Sequence, residues 1–177
     1  MAEYLITSEA FVKNTTPIFD NIGGKYIQSA IREAQEIRIK GVLGSALLAR
    51  LKELCKSGAI EQNSDYKELL EQCQMATAYQ AISELARITS YKITNKGVVK
   101  TNDERVENAT ESEIIRTQDY YRAKADFYVS ELQRFLLDNR AKYPELSENA
   151  CNAIRSNLHS SASCGLWLGG SRGKIVR

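Results

Sequence analysis

Residues 110–143 read TESEIIRTQDYYRAKADFYVSELQRFLLDNRAKY, and their spacing decides the fold. Ile114, Tyr121, Ala125, Tyr128, Leu132 and Phe135 follow one another at intervals of seven, four, three, four and three residues. Such intervals keep apolar side chains on one line of a helix, the rhythm of a helix packed lengthwise on another. In front of the seam, Thr110-x-x-Glu113 is a capping box, in which hydroxyl and carboxylate each satisfy a free backbone donor. The spacing predicts one helix from Thr110 to about Tyr143, closed by Pro144.

The partner helix is read from Ser64 to about Ser90, with Tyr66, Leu69, Leu70, Cys73, Ala76, Tyr79, Ile82, Leu85 and Ala86 on or near one side. Small residues at 73, 76 and 86 let a neighbour come close, so the two long helices are expected to be antiparallel partners. Between them, residues 91–109 lose the period. Asn95 to Gly97 signals a turn, Val98 and Val99 form a β-prone pair, and 102–108 is polar, which together read as a hairpin-like loop.

Upstream, Thr7 or Ser8 can cap a short helical turn that Pro17 ends. Tyr26, Ile27, Ala30, Ile31, Ala34 and Ile37 then recur at helical spacing, with Gln28, Arg32, Glu33, Gln35, Glu36 and Lys40 turned outward. Gly41 is expected to stop this helix, and Gly44 with Ser45 to open another through Leu47, Leu48, Leu51 and Leu54, ended by Ser57 and Gly58. So short a link requires a sharp turn. After Pro144, residues 147–158 suit a short last helix, and 160–177, SSASCGLWLGGSRGKIVR, are too rich in glycine and serine for one. The expected architecture is an all-α bundle: a helical domain over 1–159, with the loop 91–109 between its long helices, and an extended arm over 160–177.

Composition excludes more than it assigns. With 177 residues, 43% hydrophobic and 26% charged, the chain can bury one real core. A net charge of +2 gives no global field for nucleic acid or an anionic membrane. No stretch reaches the roughly 20 apolar residues of a membrane span, and 1–11 lacks the pattern of a signal peptide, so synthesis in the cytosol is expected. Cys55, Cys73, Cys151 and Cys164 have no CxxC pairing and His159 stands alone, which favours free thiols over zinc or disulfides.

No catalytic, metal or cofactor residue is assigned. His159 lies in a polar run without a nucleophile-elbow context. Glu33 with Glu36, and Glu111 with Glu113, read as solvated helix faces. Gly165 to Gly173 superficially matches a phosphate loop but has no strand before it and no helix after it. The aromatic residues Tyr120, Tyr121, Phe127, Tyr128 and Phe135 are read as core packing. Two basic clusters remain: Lys92, Lys96 and Lys100 in the middle loop, and Arg155, Arg172, Lys174 and Arg177 in the tail. The apolar triplet Leu166, Trp167 and Leu168 in a basic arm gains little from staying in water, which makes it a candidate partner contact.

The order of segments resembles a known family. The leader LITSEAF, the helix end REAQEIRIKGVLG, the loop SYKITNKGVVKTNDE, the helix YYRAKADFYVSELQRFL, the closing NRAKYPEL and a Gly-rich terminus resemble head-to-tail connector proteins of tailed bacteriophages, also called adaptor or head-completion proteins. The version in phages of Bacteroides-type gut bacteria is the nearest in character. The resemblance implies a non-enzymatic virion protein at the head–tail interface, whose helical subunits form a ring, twelvefold like the portal above it, around a channel for DNA. The implied partners are copies of itself, the portal, and a following tail or stopper protein, with DNA as passing cargo and no membrane. It further implies that Leu166, Trp167, Leu168, Arg172 and Lys174 belong to a docking arm, and that Lys96, Val98, Val99 and Lys100 face a neighbouring ring or the channel. The residues 151–177, absent from shorter members, leave open which terminus meets which partner. The alternative from the residues alone is a regulatory or nucleic-acid-binding helical module; an enzyme of unfamiliar type is disfavoured by the missing site.

Overall fold

The computed structural model describes residues 4–18, 21–95, 97–100 and 109–147. Among them the protein is all-α, its one sheet a two-stranded hairpin. Helix α1 spans Glu9–Thr15, α2 Gly24–Ala34, α3 Lys40–Ser57, α4 Ser64–Ile88 and α5 Glu111–Asp138; strands β1 (Tyr91–Thr94) and β2 (Gly97–Lys100) lie between α4 and α5.

Local chemistry sets the starts. Ser8 caps α1 by accepting from the Phe11 N–H at 3.1 Å. At α5 the capping box forms in full: Thr110 Oγ1 accepts from Glu113 N, and Glu113 Oε2 accepts from the Thr110 N–H at 2.8 Å. The Thr110 N–H first, and then the Thr110 hydroxyl, donate to the Glu113 carboxylate and hold it below its ordinary pKa.

The first half of α4 and the last turns of α5 share one core with α3. Contacts pair Tyr143 with Asp65, Tyr79 with Tyr128 and Gln118 with Ser83. Ile114, Ala125 and Leu132 are buried on the α5 seam, and Leu136 with them. Tyr121, Tyr128 and Phe135 are half-buried at its edge. The core has two lobes. One gathers Leu43, Leu47, Leu51, Leu69, Cys73, Leu132 and Leu136; the other gathers Val12, Ile27, Ile31, Ala34, Ala78, Ala81 and Leu85.

Between α2 and α3 the structure departs from the sequence reading in three ways. Gly41 does not stop a helix: the chain continues through a π turn, Gln35–Ile39, in which Lys40 N–H reaches back to the Gln35 carbonyl. Wider than an α turn, it changes the phase of the residues that follow. Ile37, expected inside, is 64% exposed, while Ile39 is buried. Gln35, expected outside, is fully buried: its Oε1 accepts from the Ile6 N–H at 2.9 Å and its Nε2 donates to the Tyr4 carbonyl at 3.3 Å. The expected sharp turn, and the helix opening after it, do form at Gly44, whose non-helical φ 77° and ψ 168° kink the segment. Only glycine occupies that region readily. Gly44→Ala should therefore lower stability by about 2 kcal/mol in chemical denaturation, whereas Gly41→Ala, where an added Cβ meets nothing within 4 Å, should cost nothing.

Helix α5 also ends early, at Asp138 rather than near Tyr143. The Asn139 side chain donates to the Phe135 carbonyl, and 3₁₀ turns Arg140–Lys142 and Pro144–Ser147 follow. This lets Tyr143 turn into the core, its hydroxyl donating to the Asp65 carbonyl at 2.8 Å and its ring set edge-on to Tyr66 at 5.5 Å. Tyr66 in turn donates to Glu145 at 2.9 Å, and Lys142 pairs with Asp65 at 3.0 Å. Ser147 ends the last 3₁₀ turn, and the rest of the short helix expected over 147–158, like the arm over 160–177, lies outside the described residues.

Candidate interaction surface

Helical bearing places the site. Successive residues of a helix are about 100° apart, so Lys124 and Asp126 leave α5 on opposite sides of the buried Ala125. On the Asp126 side α5 meets the π turn, where Arg38 pairs with Asp126. On the Lys124 side it carries an aromatic surface.

Tyr120 and Phe127 stand on that surface 57% and 58% exposed, more than core packing permits. Beneath them Tyr79 of α4 stacks on Tyr128, centroids 5.0 Å apart and rings 12° from parallel, and Phe127 meets Tyr128 edge-on at 5.3 Å. Together with Ala123 and Lys124 these rings line a shallow groove. The Lys124 ammonium lies 4.5 Å from the Tyr120 centroid, 5.6 Å from Tyr79 and 5.9 Å from Tyr121, within cation–π range of all three. The Tyr120 hydroxyl, above all, holds the Lys124 pKa above its ordinary amine value. No carboxylate pairs with Lys124 among the described residues.

The core reading of the aromatic residues is thus corrected for Tyr120 and Phe127. The signal that separates them was present: they too are seven apart, but one residue out of phase with Tyr121 and Tyr128 and so rotated about 100° from the seam. A second apolar groove sets Pro17, Ile18 and Ile22 against Ile82, Leu85 and Tyr121.

Of the residues singled out as partner contacts, Val98, Val99 and Lys100 lie on β2, registered opposite Ile93, Lys92 and Tyr91 of β1. Lys96, Leu166, Trp167, Leu168, Arg172 and Lys174 lie outside the described residues. Among the described residues no three His, Cys, Asp or Glu side chains converge as metal ligands would, and no helix is long and apolar enough to cross a membrane. Cys55 and Cys73 are free thiols, and burial pushes both pKa values up, so thiolate chemistry is suppressed at either.

No curated protein and no solved structure matches the chain. Over residues 39–156, about two thirds of its length, the sequence matches the model of one family, and the chain therefore belongs to DUF6712, a family of unknown function.

Proposed function

We propose that this chain is a structural assembly subunit of a tailed-phage virion, one of a ring that connects the capsid portal to the tail and leaves a channel for DNA. The connector identity comes from the sequence resemblance. The observation that carries an assembly role is the aromatic surface of α5: Tyr120 and Phe127 stand in water beside a lysine held over tyrosine rings, an arrangement that favours a protein partner over solvent. In this reading the two long helices act as an antiparallel pair that forms the rigid body of the subunit, with the 91–109 loop at one end. The arm, through Leu166, Trp167, Leu168, Arg172 and Lys174, docks on the portal, and Lys96, Val98, Val99 and Lys100 face the neighbouring ring or the channel. The protein does no chemistry and needs no cofactor.

Deleting 160–177 tests the arm. Far-UV circular dichroism and melting of the truncated chain should stay near those of the full chain, while its incorporation into particles is lost. A large fall in melting temperature would place Trp167 in the core instead, and normal incorporation would remove the arm from portal docking.

A further inference from the structure

We infer that the aromatic surface of one copy, Tyr120, Lys124 and Phe127, docks on Glu33 and Ile37 of the next copy, and that this head-to-tail contact closes the ring. The inference rests on the ring reading above and names its interface. Three observations carry it.

The first is charge. Lys124 has no carboxylate partner among the described residues, and Glu33 is exposed on α2 with no cation partner among them. The second is apolar surface. Glu33 and Ile37 are four residues apart on one continuous helical segment, Glu33 in α2 and Ile37 in the π turn that follows it, and both are exposed. The π turn holds Ile37 64% exposed, the most exposed large apolar side chain among the described residues, where an α turn would rotate it differently. An acid beside an aliphatic side chain complements a lysine beside aromatic rings, the ammonium meeting the carboxylate and Ile37 lying on Phe127. The third is bearing. Arg38 of the π turn pairs with Asp126, on the flank of α5 opposite Lys124, so one subunit carries the two surfaces on different sides of its body. Different patches on different sides make a heterologous contact, which builds rings or filaments; a single self-complementary patch would make a two-fold dimer.

Charge reversal tests it in the full chain. Lys124→Glu and Glu33→Lys change exposed or half-exposed side chains, and melting controls for folding. Ring formation is read by light scattering, alone over rising concentration and with the portal protein of the same genome. Each single reversal should lower ring yield at least about tenfold, since a like-charge pair across an interface is strongly unfavourable, and the double reversal should restore it. As a second measure, Phe127→Ser and Ile37→Ser should each lower the yield without altering melting. A wild-type ring indifferent to the reversals, or a double variant no better than the singles, overturns this interface and leaves the ring reading standing. A two-fold dimer lost in Lys124→Glu but intact in Glu33→Lys overturns the head-to-tail contact. A wild-type chain that forms no ring under either condition overturns the ring reading and this interface with it.

Discussion

Replacing Leu132 by alanine should destabilise the fold by about 3 to 5 kcal/mol, the range for emptying a large apolar site that cannot collapse. Leu132 is fully buried in the lobe that joins α3, the first half of α4 and the last turns of α5, with Leu47, Leu51, Leu69, Cys73 and Leu136 around it. Three helices meet there, so none can move in without leaving another. Tyr128→Ala, one turn away on the same seam, should cost less: the ring is half-buried, and its main partner is the stacked Tyr79. Urea denaturation of both variants checks the order. Equal losses, or a silent Leu132→Ala, would mean that the seam lies on another line of α5.

The second large effect is expected at Gln35. Its amide is the only side chain described as joining the segment before α1 to the π turn, through Ile6 N–H and the Tyr4 carbonyl. Gln35→Ala leaves the Ile6 N–H buried without a partner and opens a void, together about 3 kcal/mol or more. Gln35→Glu keeps the acceptor for Ile6 but loses the donor to Tyr4 and buries a carboxylate. Its loss should therefore shrink as pH falls and the carboxyl takes up a proton, because a buried carboxylate has its pKa raised in the folded state. Denaturation at pH 5 and pH 8 measures this. Hydrogen exchange adds a local readout: the Ile6 amide should lose protection in Gln35→Ala ahead of the amides of α4.

How much of this was legible follows from where helical periodicity holds. Along α4 and α5 the period is unbroken, so the length of α4, the capping box at Thr110 and Glu113, and the burial of Ile114, Ala125 and Leu132 could be read directly. The period fails at the π turn. A wide turn inserted after Ala34 leaves no mark in composition, so a strict α period carried Ile37 inward, while Gln35, one turn after the buried Ile31, was placed outward for its polarity alone; both are the reverse of their places. Gly41 and Gly44 raise the same difficulty. Both are potential breaks, and burial of Val42 and Leu43 between them keeps the helix going past the first and moves the break to the second.

At the candidate surface, residue type marked Tyr120, Tyr121, Phe127 and Tyr128 as one group, although the phase that divides them into seam and surface was already written in the spacing of the seam. Tyr79, on α4, completes the groove, and no local pattern joins it to Phe127. Lys124 was passed over because a lysine between aromatic residues reads as a solvated position; what distinguishes it is the convergence of three rings from two helices.

Mass measured by light scattering, for the full chain with and without the portal protein of the same genome, tests the assembly role most directly. Heterologous contacts that are weak singly add once a template fixes neighbours side by side. The isolated chain should therefore be a monomer or small oligomer at micromolar concentration, and a closed ring of uniform mass should appear on the portal. A stable dimer of unchanged mass in the presence of portal, with no ring in either sample, would contradict the connector role.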